Sequence, residues 1–309
     1  MCFGSEADMC SAHANVRFGP IADIRVRSSL LPFCFSSLFF FSQTSSPINP
    51  PVSISAARSG VVATSPESPE WNKRACVGRI VMAKHAVPMN AVDFYFDFVS
   101  PYPWLASHQL GELRECTAVK FCFVPVLFAA LLDHHSNLGP AEIPAKRRYT
   151  FQDTQRWAVH LGWEFKGPPA HPFNPLKPLR VTSAIESDDL REALAVRLLD
   201  AAWSEGKDIT SDSVIYEVAD SLGLDGQELL GKAHTVEIKE RLHLQTERAI
   251  RAGVFGVPSF VVNGEIFWGN DRLHLLKEYL EGRLPTDRAK VEEMLSRPRA
   301  ADRSTKQIE

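Results

Sequence analysis

Val92-Asp-Phe-Tyr-Phe-Asp-Phe98, running into Val99-Ser-Pro-Tyr-Pro-Trp104, is the stretch on which the fold turns. Its first seven residues are rich in aromatic side chains and alternate as a half-buried strand does. Pro101 and Pro103 then end the strand. From Leu105 to Glu115, Leu105, His108 with Gln109, and Leu113 fall near helical spacing, and Val119-Lys-Phe-Cys-Phe-Val-Pro125 reads as a second strand stopped by Pro125. Strand, helix, strand is the order of a parallel pair joined by a crossover.

Downstream, residues 131–234 read as mostly helical. Ser187 is placed to cap a helix carrying Leu190, Leu194, Leu198, Ala201 and Ala202, which Gly206 closes. Thr210 or Ser211 caps a second, with Val214, Ile215, Val218 and Leu222 before Gly223. Gly167-Pro-Pro-Ala-His-Pro-Phe-Asn-Pro175 holds four prolines and predicts an extended loop; long loops inside compact domains often carry function. Glu237 to Arg251 reads as helix. Ser259-Phe-Val-Val262 and Glu265-Ile-Phe-Trp268 flank Asn263-Gly264, the strongest short hairpin signal. A last helix runs from Arg272 to Glu281, capped by Asn270 or Asp271. The expected fold class is α/β, with the strand-bearing segments at residues 89–130 and 236–285. An all-helical domain is inserted at 131–235, and 286–309 forms a flexible tail.

Upstream, residues 1–88 do not read as a folded domain. No acidic residue occurs from Ile24 to Pro66, and the apolar run Leu30 to Phe41 is too short to span a bilayer as a helix. Arg25 and Arg27 before that run, with Ala56-Ala57 after it, loosely imitate a targeting segment. The expectation is a disordered or spurious extension, with Met89 or Met82 as the true beginning.

Of 309 residues, 45% are hydrophobic and 23% charged, the balance of an ordinary globular protein, and the net charge of -3 offers nothing to nucleic acid or an anionic membrane. Residues 1–88 carry 8 Lys and Arg against 5 Asp and Glu; the remainder is net acidic. Cys2, Cys10, Cys34, Cys76, Cys116 and Cys122 form no C-x-x-C pair, which argues against a disulfide framework, a zinc site or a redox couple. His134-His135 read as a loop pair, since sequence neighbours do not converge on one metal. No metal is expected, and a reducing, cytoplasmic setting is.

Val92 to Ala106, Gly253-Val-Phe-Gly-Val-Pro-Ser-Phe260 and Phe267-Trp-Gly-Asn-Asp-Arg-Leu273, with Gln155-Arg-Trp157 between, resemble the 2-hydroxychromene-2-carboxylate isomerases. These are relatives of kappa-class glutathione transferases and DsbA-type oxidoreductases; the likeness runs from about Val92 to Leu280 and implies that residues 89–130 and 236–285 form a thioredoxin-like domain around the helical insertion. In such folds the first helix begins where redox enzymes carry two cysteines, and a helix N-terminus stabilises a thiolate. Here Ser100 holds that place. The resemblance implies that Ser100 donates a hydrogen bond to the thiolate of a bound glutathione; read locally, it is an N-cap. It further implies a cis peptide at Val257-Pro258 exposing the main chain of Val257 to an extended ligand. Gly269-Asn270-Asp271 would receive the γ-glutamyl end, with Asp271 facing its ammonium.

Asn174, Phe173 and Tyr102 are the candidates for contact with a small aromatic substrate. The chain departs from its relatives at Phe173, which lacks a tyrosine hydroxyl. It departs again at Leu131 to Pro140, where some relatives place a lysine for the glycine carboxylate of glutathione. Lys146, Arg147 or Arg148 are the candidates to replace it. The expected activity is glutathione-dependent cis-trans isomerisation of an aromatic-degradation intermediate by a homodimer. Kappa-type glutathione transfer and a non-catalytic binding module are the alternatives.

Overall fold

The computed structural model describes residues 91–300. The extension expected at 1–88, with Met89 and Met82, lies outside the described residues, as do residues 301–309.

The sheet has four strands: β1 (Ala91–Phe96), β2 (Lys120–Pro125), β3 (Ser259–Val262) and β4 (Glu265–Trp268), in the order β2-β1-β3-β4. β1 runs parallel to β2 and antiparallel to β3, and β3 runs antiparallel to β4. The last residues of β1 and β4 and the first of β3 therefore share one edge, with Tyr95 opposite Ser259 and Ser259 opposite Trp268. Asn263 (φ 52°) and Gly264 (φ 77°) make the tight turn between β3 and β4 in the left-handed conformation that the Asn-Gly pair predicts.

Between β1 and β2 lie α1 (Pro101–Ser107) and α2 (Leu110–Thr117), where the sequence predicts one helix over 105–115. Proline at the first helical position starts α1 early. The break at His108-Gln109 follows from side chains taking up main-chain carbonyls: Ser107 Oγ donates to Trp104 O, and Gln109 Nε2 donates to Leu105 O. Seven helices then separate β2 from β3: α3 (Phe128–His134), α4 (Pro144–Leu161), α5 (Leu176–Ser183), α6 (Asp188–Trp203), α7 (Asp212–Ser221), α8 (Gly226–Ala233) and α9 (Val236–Arg251). Ser187 caps α6 through Leu190 N, as its sequence position predicts. After β4 a 3-10 turn over Asn270–Arg272 leads into α10 (Leu273–Leu280), so neither Asn270 nor Asp271 caps that helix; Arg272 stands at its N-cap position. The segment expected as a tail carries one more helix, α11 (Arg288–Leu295), capped by Asp287.

β1 is buried on both faces. Phe94 stacks on Phe260 at 4.9 Å and meets Phe123 edge-on at 4.7 Å, within the main core that also takes Leu194, Leu198, Ala201 and Trp203 from α6. Tyr95 turns to a second core with Val124, Val126, Ala249, Val254 and Val257. Trp157 and Trp163 pack against the main core.

A buried acid lies in the apolar segment just past the end of β1. Asp97 is fully buried, and its carboxylate accepts from Val99 N at 3.0 Å and Phe128 N at 2.8 Å. Burial pushes its pKa up to about 7, against the opposing effect of these N–H donors.

Two outcomes follow. Truncating Phe94 to alanine removes a ring from the centre of the sheet and should cost about 3–5 kcal/mol of stability, read by chemical denaturation. From pH 4 to 7 the folded protein retains on Asp97 a proton that the unfolded chain has lost. Stability from this group is therefore fullest at the acid end and falls as pH rises to about 7. In Asp97→Asn this part of the slope should vanish from melting temperatures taken across that range. An unchanged slope would show that Asp97 does not titrate there.

Candidate active site

Ser100 lies at the end of the turn that leaves β1, in extended conformation (φ −95°, ψ 134°) at the N-cap of α1. Its side chain caps none of the helix N–H groups, and no other described residue bonds its hydroxyl. Ser100 thus holds the N-cap position that its local reading gives, without a side-chain hydrogen bond to the helix. Pro101 and Pro103 carry no N–H, so the start of α1 offers fewer donors than an ordinary helix end. The free hydroxyl is the prominent donor at this point.

Side chains from distant segments hold the turn before it. Trp203 Nε1 donates to Phe98 O at 3.1 Å. His171 Nε2 lies 3.0 Å from Val99 O, and because a carbonyl only accepts, that nitrogen carries the hydrogen. The ring packs edge-on against Phe151 and Trp203. Its Nδ1 is buried without a partner, and burial, helped by the charge of Arg147 and opposed by the bond to Val99, lowers the pKa. Trp104, below Ser100 on α1, donates to Asp200 Oδ1 at 3.0 Å, an oxygen shared with His108 Nε2 at 2.6 Å.

On the opposite flank, Val257-Pro258 is cis, as is His171-Pro172. Neither the N–H nor the C=O of Val257 bonds to another described residue. Gly269 N donates to Pro258 O at 2.9 Å, which fastens the 269–271 turn to this peptide. Gly269 has φ 103°, and a Cβ there would lie 2.5 Å from Asp271 Oδ1, so the position demands glycine. Asn270 is 4% exposed and its Nδ2 has no partner, a buried donor of the kind native structures seldom leave unmatched. Asp271 is exposed and its carboxylate pairs with Arg272. Strand register thus gathers Ser100, Val257, Pro258 and Gly269 to Asp271 at one sheet edge.

The substrate candidates are placed less uniformly. Tyr102 is half-buried and its hydroxyl donates to Asp153 Oδ2 at 3.2 Å, which leaves the ring rather than the hydroxyl to offer; burial pushes the phenol pKa up. Asn174 is exposed, and its Oδ1 accepts from Leu176 N at the start of α5. Phe173 packs partly into the main core. His135 is tied to Val254 O at 3.1 Å, and among the described residues no cluster of His, Cys, Asp and Glu could hold a metal. Neither Cys116 nor Cys122 is in a disulfide. Among the described residues no helix is long and apolar enough to cross a membrane. Sequence reasoning passed over Asp97, although an acid flanked by Phe96 and Phe98 in a strand predicted to be half-buried was a usable signal.

The profile of the family described as "DSBA-like thioredoxin domain" matches residues 91–281. A 2-hydroxychromene-2-carboxylate isomerase of Pseudomonas putida is 31% identical over 196 residues, covering 62% of this chain and 95% of that protein. Glutathione S-transferase kappa 1 of Rattus norvegicus is 28% identical over 209 residues, covering 62% and 90%. A solved 2-hydroxychromene-2-carboxylate isomerase superposes with a TM-score of 0.58 at 29% identity, over 67% of this chain and all of that one. The chain therefore belongs to the DSBA-like thioredoxin-domain family and, within it, to the enzyme family of the 2-hydroxychromene-2-carboxylate isomerases.

Proposed function

We propose that the protein is a glutathione-dependent cis-trans isomerase acting on 2-hydroxychromene-2-carboxylate or a similar aromatic-degradation intermediate. The observation that carries this reading is the pairing, at one sheet edge, of an unengaged Ser100 hydroxyl with the unbonded main chain of Val257. The first suits a sulfur that the protein itself does not provide, and the second suits an extended peptide. The buried, unmatched Nδ2 of Asn270 fits a carboxylate at the far end of such a peptide. Asp271 is the group for its ammonium, in exchange for Arg272.

When bound, glutathione supplies a thiolate that adds reversibly to a conjugated carbon, so that a former double bond can turn before the thiolate leaves unchanged. The protein's part is to hold and stabilise. Ser100 donates its hydroxyl hydrogen to the sulfur, keeping it ionised and aimed. Val257 N–H and C=O pair with the peptide main chain. Phe173 and the Tyr102 ring offer aromatic surface to the substrate, with Asn174 at the rim of the loop. No electrons are transferred overall, consistent with a site without a cysteine pair.

Kappa-type glutathione transfer would use the same residues and differ in releasing the conjugate. The 28% identity to the rat kappa enzyme keeps it as the second reading. Mixing protein, glutathione and a chlorodinitrobenzene acceptor separates the two, since a stable conjugate favours transfer. Absence of any glutathione binding by calorimetry would point instead to a non-catalytic module.

Ser100→Ala should lower the isomerisation rate about a hundredfold, the scale of losing one donor to developing or held negative charge. Its melting temperature should stay near that of the parent, because the hydroxyl caps nothing. Full activity in this variant would remove Ser100 from the mechanism.

A further inference from the structure

Most arginines near the described core are matched by acids: Arg114 pairs with Glu192, Arg197 with Glu205, Arg241 with Glu237. Arg147, on the first turn of α4, pairs with no carboxylate among the described residues. Two non-ionic contacts hold it instead. Its Nη2 donates to His171 O at 3.1 Å, and its guanidinium lies over the Phe151 ring, 5.5 Å from the centroid. These use one of five N–H donors and leave the positive charge without a counter-ion.

The placement is specific. Arg147 grips the main chain of His171, whose ring holds the carbonyl of Val99, the residue before Ser100. An unmatched guanidinium is therefore linked by one histidine to the turn that presents the serine. Aromatic surface lies around this link: Phe151 under the guanidinium and against the His171 ring, and Tyr102 fastened to α4 through Asp153. A flat fork of donors beside aromatic rings matches a planar carboxylate joined to a conjugated system.

We propose that Arg147 is a specificity-determining residue that receives the carboxylate of a conjugated aromatic acid whose reactive carbon is presented to the sulfur at Ser100. This rests on the isomerase reading above and adds to it the group that selects an acid over a neutral analogue. The other carboxylate that could come here is the glycine end of glutathione. The substrate is the better match, because Arg147 joins the turn through Val99 and His171, whereas the peptide-binding groups belong to the 257–258 and 269–271 segments.

The test compares the parent, Arg147→Lys and Arg147→Gln on 2-hydroxychromene-2-carboxylate and on its methyl ester. Calorimetry then measures the binding of glutathione alone and of the acid alone. Arg147→Gln should lower kcat/KM for the acid by about tenfold to a hundredfold, the range of a lost charge-assisted pair. The ester rate should change little, and Arg147→Lys should fall between. Binding of the acid should weaken in parallel, and the glutathione Kd should hold. A merely structural role would slow acid and ester alike, and that result would overturn the proposal. A weakened glutathione Kd with an unchanged ratio of acid to ester would assign Arg147 to the glycine carboxylate, which also overturns it. If the parent isomerises and all three proteins keep the same ratio, only this inference falls. A parent that neither binds glutathione nor isomerises removes the isomerase reading, and this inference with it.

Discussion

The turn from Asp97 to Ser100 leaves a buried strand, and its main-chain polar groups must find partners where no neighbouring strand continues. Side chains supply them. Asp97 accepts from Val99 N, Trp203 donates to Phe98 O, and His171 donates to Val99 O. Two of these three come from residues 72 to 105 positions further along the chain, in the helical insertion. The insertion is thus not an ornament on the sheet. Without Trp203 and His171 the turn would carry two unsatisfied carbonyls in an apolar surround, each costing about 1–3 kcal/mol.

The same arrangement explains why Ser100 is free. Because the turn is fixed by its neighbours, the serine is not required to cap α1. The two prolines that begin the helix set its direction while removing competing N–H donors. A hydroxyl spared from structural duty can serve a ligand. Asp97 is the cost of this order: a buried acid in the apolar turn after β1, tolerated because it takes N–H groups from that turn and from Phe128 at once. It ties the two parallel strands together beyond the point where their ladder ends.

The strands, the hairpin and the fold class were legible because their signals are local. Aromatic alternation marks β1, Asn263-Gly264 marks the turn, and Ser187 marks a helix start. The site was legible only in part. Ser100, Val257-Pro258 and Gly269 to Asp271 stand in motifs, so the sequence points to them. The engagement of Tyr102 by Asp153 and the use of Asn174 Oδ1 by Leu176 N depend on geometry that residue types do not encode. The link from Arg147 through His171 to Val99 joins residues 24 and 72 positions apart, through the His171 carbonyl and the His171 ring, which no period or spacing reveals. The expected cap at Asn270 or Asp271 gave way to a 3-10 turn, because Asp271 turns its carboxylate to Arg272 and Asn270 is buried.

The segment around α11 has a consequence for the sheet's outer border. β4 is an edge strand, and an edge with open main-chain groups invites another strand to add to it. Here Arg288 donates to Asn263 O in the hairpin turn and, with Thr286, binds the Glu265 carboxylate at the start of β4. A charged brace therefore occupies the end of the border that lies away from Ser100. It discourages runaway pairing between molecules where exposure would bring only aggregation, and it leaves the opposite end, beside Gly269, open to solutes.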